Sequence, residues 1–73
     1  MSGQSIWKLT ITHPKRAGAL SFSFTSLQTA KACAALFANE GFHAEVVPGG
    51  AGLWDSAEEA FVKGMDLFYP SYA

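Results

Sequence analysis

Two short segments that alternate apolar and polar residues constrain the fold more than any other feature of this sequence. Apolar side chains occupy every second position through the middle of residues 5–13 and again of residues 19–25: Trp7, Leu9, Ile11, Leu20, Phe22 and Phe24. A period of two is typical of a strand with one buried face. Pro14 and Gly18, which lie between the segments, favour a turn. The two segments therefore predict an antiparallel hairpin, and because a hairpin alone is marginally stable, its apolar face needs a cover.

An alanine-rich segment predicts the first part of that cover, a helix over residues 27–40. Thr25 or Ser26 can cap its first turn. Gly41 follows at the position where helices often end in a left-handed residue. Phe42 comes next, where a Schellman ending places its hydrophobic contact.

The rest of the chain predicts one more strand and one more helix. Residues 42–47 are expected to form a short third strand, and the P-G-G-A-G run of residues 48–52 a loop. A second helix is expected over residues 56–69. Asp55 or Ser56 can cap it, and acidic residues in its first turn suit the helix dipole.

The element order ββαβα predicts a single α+β domain spanning residues 1–73. The crossover through the first helix should make strands 2 and 3 parallel, with strand 1 between them. Both helices would then cover the apolar face of a three-stranded sheet. The opposite face would be polar and would carry Lys8, Thr10, Thr12, Ser21, Ser23 and either His43 and Glu45 or their neighbours.

Residues 20–46, L-S-F-S-F-T-S-L-Q-T-A-K-A-C-A-A-L-F-A-N-E-G-F-H-A-E-V, resemble the strand–helix–strand half of ferredoxin-like modules. Their pattern is similar to the first half of SPOR-type and ACT-type domains, in which a glycine–aromatic ending follows an alanine-rich helix. The chain lacks the further strands of those families. The resemblance therefore implies a ferredoxin-like half and carries over no binding residue.

Composition excludes several classes of protein. The 73 residues are 49% hydrophobic and 15% charged, with a net charge of −1. This is too apolar for a disordered chain and too short for a second domain. The charge is also too low for strong non-specific binding to nucleic acid, which we do not expect.

The location expected from the sequence is the cytoplasm. No run approaches the roughly 18 apolar residues that a membrane-spanning helix needs, and no targeting segment is evident near residue 1. The single cysteine, Cys33, cannot form an internal disulfide and suits a reducing compartment.

No set of residues predicts catalysis, a metal site or a cofactor. Cys33 lies in the middle of a predicted helix among alanines, where a small buried side chain is expected. His13 and His43 are 30 residues apart and lack the ligand spacing of a metal site. We therefore expect a protein that is not an enzyme.

The favoured function is a non-enzymatic protein-interaction module, because high apolarity with little charge predicts exposed apolar patches. Such a module would be a small accessory subunit or an inhibitor of a larger protein, or would pair with itself. Aromatic residues, common at interface hot spots, gather near the end of the chain. The candidate contact residues are Trp54, Tyr69, Tyr72, Lys15 and Arg16.

The alternative function is binding of a small ligand or a nucleic acid. A glycine-rich turn before a helix can present N–H groups to an anion. Residues 48–52 offer Gly49, Gly50 and Gly52, and a basic surface would comprise Lys8, Lys15 and Arg16. The acidic start of the following helix opposes an anion there, and the strand aromatics are expected on the core face.

Overall fold

The computed structural model describes residues 6–50 and 53–68. Its elements are β1 (Trp7–His13), β2 (Arg16–Phe24), α1 (Leu27–Asn39), β3 (His43–Pro48), β4 (Leu53–Trp54) and α2 (Ala57–Phe68). The predicted α+β class is confirmed. The order is ββαββα, so the predicted ββαβα order lacked one strand.

The four strands form one mixed sheet in the order β3-β1-β2-β4. β1 is antiparallel to both β2 and β3, so β2 and β3 are parallel with β1 between them, as predicted. Leu9 pairs with Phe22 on one side and with Val46 on the other. This register places the alternating apolar side chains of all three strands on the same face.

The prediction of a three-stranded sheet was wrong because it missed β4. Leu53 and Trp54 pair in parallel with Ser23 and Phe24 at the end of β2. Two residues are too few to show an alternating pattern, so only the pairing partner reveals this strand.

The hairpin turn is tighter than predicted. His13 pairs with Arg16, so only Pro14 and Lys15 form the turn, and β2 begins three residues earlier than expected. The pairing register shifts between the twelfth and thirteenth residues of the chain, and Gly18 in the facing segment of β2 has a φ of +96°. A glycine tolerates that backbone conformation, which is typical of a bulge.

Serine side chains cap both helices. The Ser26 hydroxyl accepts a hydrogen bond from the Thr29 backbone N–H at 3.3 Å, and the Ser56 hydroxyl accepts one from the Glu59 N–H at the same distance. Of the alternatives left open by the sequence, the structure uses the serine in each case.

The end of α1 is the predicted Schellman motif. The Phe42 N–H donates to the Phe37 carbonyl and the Gly41 N–H donates to the Ala38 carbonyl, both at 3.0 Å. Gly41 has a φ of +92°, and the Phe42 ring packs edge-on against Phe37 with the centroids 5.3 Å apart. This ending turns the chain directly into β3.

Both helices cover the same face of the sheet, as predicted, and contribute to one core. Its buried members are Leu9, Ile11, Phe22, Phe24, Ala30, Cys33, Phe37, Phe42, Ala60 and Phe68. Gly64 lies where α2 meets this core. A Cβ there would overlap the Phe37 ring and come within 3.2 Å of Phe22 Cζ. The missing side chain lets the helix backbone contact the aromatic ring directly.

We predict that Gly64→Ala destabilises the fold by about 1–2 kcal/mol. Overpacking a filled core costs about 1–3 kcal/mol, and the better helix propensity of alanine returns up to about 1 kcal/mol. Urea unfolding of the purified variant measures the difference.

A second substitution supplies the control for this prediction. Phe37→Leu opens space at the contact, so its cost should be smaller in the Gly64→Ala background than in the natural chain. A Gly64→Ala variant as stable as the natural protein, or strictly additive losses in the double variant, would contradict the close contact.

Candidate interaction surface

The predicted basic surface is divided between the two ends of the sheet. Lys8 pairs with Ser23 near the start of β1, whereas Lys15 and Arg16 lie at the hairpin turn beyond its end. The seven residues of β1 span roughly 20 Å at about 3.4 Å per residue. The structure therefore does not bring Lys8 together with the other two cations.

The sheet face away from the helices is polar, as predicted. Thr10 and Ser21 share a hydrogen bond between their hydroxyl oxygens at 3.3 Å, and exposed His43 and Glu45 lie on β3 opposite β1. The strand aromatics Trp7, Phe22 and Phe24 pack with the core on the other face. Within the residues that the structure describes, this polar face offers no aromatic platform for stacked bases.

The glycine loop connects the two edge strands of the sheet rather than leading from a strand directly into a helix. β3 and β4 are the two edge strands, three interstrand spacings or about 14 Å apart, and only residues 49–52 join them. The Gly49 N–H donates to the Ile6 carbonyl at 2.7 Å. That amide is therefore engaged within the chain, and β4 separates the loop from the start of α2.

Position 50 has no room for a side chain. Its φ is +122°, and a Cβ on it would overlap the Ser23 hydroxyl oxygen and come within 3.2 Å of Lys8 Cβ. Ser23 is only 3% exposed. The backbone of Gly50 thus packs directly on Ser23 and Lys8, so this glycine has a structural role. The other predicted loop residue, Gly52, lies outside the described residues.

We predict that Gly50→Ala destabilises the fold more than Gly49→Ala. Gly49 has a similar φ of +108° but open space around its Cβ position, so its substitution adds only backbone strain of about 1–3 kcal/mol. Gly50→Ala adds the overlap with Ser23. Urea unfolding of the two variants separates the effects, and equal losses would show that the loop does not pack on the sheet.

The cysteine and the two histidines do not form a reactive cluster. Cys33 is fully buried, and burial raises the pKa of its thiol to about 11, which disfavours the nucleophilic thiolate. The His13 ring packs on Phe42 with the centroids 4.9 Å apart, and its Nδ1 accepts a hydrogen bond from the Lys15 N–H. His43 is exposed on the polar face of the sheet. The sheet therefore separates the two histidines.

A cavity of about 520 Å³ lies between the starts of the two helices. Its lining includes Gln28 and Thr29 of α1 and, at the start of α2, Asp55, Ser56 and Glu58. Two helix N-termini favour an anion, but the two carboxylates oppose one. At the start of each helix, the cap serine already accepts a hydrogen bond from a first-turn N–H group, which is then not free for an anion. The chemistry of the lining is therefore mixed.

A second open concavity, which we call the β4–α2 groove, is different in character. It has a volume of about 510 Å³ and is lined by Trp54, Glu58, Glu59, Val62, Lys63 and Asp66. The Trp54 ring is held edge-on against Phe22, with the centroids 5.3 Å apart. Val62 is 64% exposed on the outer side of α2. An indole anchored on the core and an exposed aliphatic side chain thus share one surface.

The exposed large apolar side chains that the structure describes all lie on β4 and α2, the elements that form this groove. Among the described residues, the exposed large hydrophobics are Leu53 (52%), Val62 (64%) and Leu67 (49%), and all three belong to β4 or α2. Leu67 also lines a small cavity of about 140 Å³ with the residues of β2 from Ala17 to Leu20. Leu53 pairs with Ser23 of the polar sheet face, so the three side chains do not form one patch, and of the three only Val62 lines the β4–α2 groove.

The segment that forms the groove is acidic. Residues 53–68 carry four carboxylates and one lysine, whereas residues 6–50 carry four cations and two carboxylates. Glu58, Glu59 and Asp66 are exposed around the groove, and Lys63 is the cation beside them. The described residues thus have a net charge of −3 on β4 and α2 and of +2 elsewhere.

The sequence identified only part of this surface. Trp54 was predicted as a contact residue and lines the groove, whereas Lys15 and Arg16 lie at the hairpin turn. Tyr69 and Tyr72 lie outside the described residues. Val62 was missed, although it stands off the buried positions of its helix, Ala60, Gly64 and Phe68. An apolar residue displaced from the buried stripe was the available signal.

No family model, curated protein or solved structure matches this chain. The resemblance of residues 20–46 to SPOR-type and ACT-type domains thus gains no support. Within the described ranges, no helix is both long and apolar enough to cross a membrane. In the same part of the chain, no group of three or more His, Cys, Asp or Glu side chains is arranged to hold a metal ion.

Proposed function

We propose that this chain is a non-enzymatic protein-interaction module that binds another protein through the β4–α2 groove. It would serve as an accessory subunit or an inhibitor of that protein. The observation that carries this proposal is the groove itself, in which half-buried Trp54 lies beside Val62, whose side chain is 64% exposed. An exposed valine beside an anchored indole represents apolar surface that a partner would remove from water.

The anchoring of Trp54 supports a role in recognition. Its contact with Phe22 fixes the ring before any partner arrives, which lowers the entropy cost of binding. Tryptophan is also among the residues that most often dominate interface energies. The groove therefore offers a rigid anchor, with Val62 beside it.

The alternative of ligand or nucleic-acid binding has less support. Lys8 is distant from Lys15 and Arg16, and Gly49 and Gly50 are engaged in packing the loop against the sheet. The raised pKa of the buried Cys33 thiol likewise supports a module without catalysis. We place the module in the cytoplasm, where a single buried thiol such as Cys33 stays reduced.

Site-specific photo-crosslinking in the cells of origin tests the proposal. The variant Val62→benzoylphenylalanine places a crosslinker in the groove, and Ala35→benzoylphenylalanine places it on the exposed side of α1 as a matched helical control. We expect a discrete protein adduct from position 62 and a much weaker one from position 35.

Two outcomes bear on the form of the interaction. An adduct with a second copy of this chain, specific to position 62, would make the module a homodimer. The absence of any protein adduct at position 62, or equal adducts at both positions, would contradict an interaction surface in the groove.

A further inference from the structure

The lining of the β4–α2 groove also indicates the chemistry of its partner, an inference that rests on the proposed function. Trp54 and Val62 form an apolar floor, and Glu58, Glu59 and Asp66 bring negative charge around it. We propose that the groove binds a cationic amphipathic segment of another protein, in which an aliphatic or aromatic anchor is flanked by lysine or arginine.

The apolar floor sets the requirement for an anchor. Trp54 is half-buried and fixed against Phe22, so a side chain that enters the groove meets a preformed surface. Val62 is 64% exposed and gains most when an apolar group covers it. A purely polar or purely charged ligand would leave this floor in water.

The acidic surroundings set the sign of the partner's charge. Three exposed carboxylates line the groove against one cation, Lys63, and Asp55 adds another carboxylate at the start of α2. Glu58, Val62 and Asp66 succeed one another at intervals of four residues, so they run along one side of α2. Lysine or arginine spaced along a docked segment would meet these carboxylates, whereas an acidic segment would be repelled.

A second copy of this chain fits the groove less well. Its basic turn carries Lys15 and Arg16, but the neighbouring Pro14 and Ala17 provide no large apolar anchor. A head-to-tail contact of that kind would also build a ring or an open chain of copies rather than a two-fold symmetric dimer. Another protein's segment satisfies both the floor and the surrounding charges.

Two labelled peptides test the proposal with the full-length chain. One repeats leucine and lysine at helical spacing, and the other has glutamate in place of every lysine. Fluorescence anisotropy measures the affinity, and the indole N–H signal of Trp54 in the NMR spectrum reports the site. We expect the cationic peptide to bind and shift that signal, and the acidic peptide to bind at least about tenfold more weakly.

Charge reversal locates the interaction. The double variant Glu58→Lys, Glu59→Lys should weaken binding of the cationic peptide by about tenfold, and Val62→Asp should abolish the shift of Trp54. Glu45→Lys is the control, because it changes an exposed carboxylate of the distant polar sheet face. It should change the affinity by less than about twofold. Unfolding curves verify that each variant is folded.

The remaining outcomes separate this inference from the proposed function. Equal weakening by Glu45→Lys and by the groove variants would mean non-specific attraction and would overturn the inference. If neither peptide binds while position 62 still crosslinks to a protein, the partner is not cationic and only the proposed function survives. If position 62 crosslinks only to a second copy and no peptide binds, the groove is a self-association surface and the inference is likewise wrong.

Discussion

The contact between the Phe37 ring and the backbone of Gly64 determines how the two helices are arranged on the sheet. Phe37 is fully buried and also packs on Phe22, Phe42 and Phe61, with ring centroids 5.0 to 6.0 Å apart. Because Gly64 has no side chain, α2 approaches this cluster closely. One ring thereby joins α1 to the sheet, to the end of its own helix and to α2. A chain of 73 residues buries a smaller fraction of its surface than a larger domain does, so one side chain that packs against several elements contributes a large part of its core.

The position of α2 in turn defines the surface that remains exposed. With Ala60, Gly64 and Phe68 turned inward, Val62 faces outward. The Phe22 ring, which stacks on Phe37, is also the support for Trp54. The cluster that stabilises the fold therefore also fixes the floor of the β4–α2 groove. Rigidity of this kind favours recognition, since little conformational entropy is left to lose when a partner binds.

Local signals in the sequence predicted most of the fold. The alternating segments predicted the hairpin and its buried face, and Gly41 with Phe42 predicted the Schellman ending of α1. The tight turn after His13 and the bulge at Gly18 were not resolved, because proline and glycine mark a turn without fixing its length. The hairpin and the Schellman ending were predictable because each depends on residues that are close together in the chain.

The remaining features depend on residues that are distant in the chain. β4 is two residues long and exists through its pairing with the end of β2, so no periodicity could reveal it. The need for Gly50 arises from Ser23 and Lys8, which the fold places beneath it. Trp54 was predicted as a contact residue. That it shares a groove with Val62 could not be predicted, because this depends on the pairing of β4 and on the orientation of α2. Lys8 lies at the opposite end of β1 from Lys15 and Arg16, and this separation also became evident only from the strand pairing.

The most direct measurement is the solvent accessibility of the groove in solution, read from NMR line broadening by a soluble paramagnetic agent. If the Phe37–Gly64 contact orients α2 as described, the methyl signals of Val62 broaden strongly. Those of Leu9 and Ile11, which are fully buried, remain sharp. Val62 methyl signals as protected as those of Leu9 and Ile11 would contradict this orientation of α2, and with it the groove as an open surface for a partner.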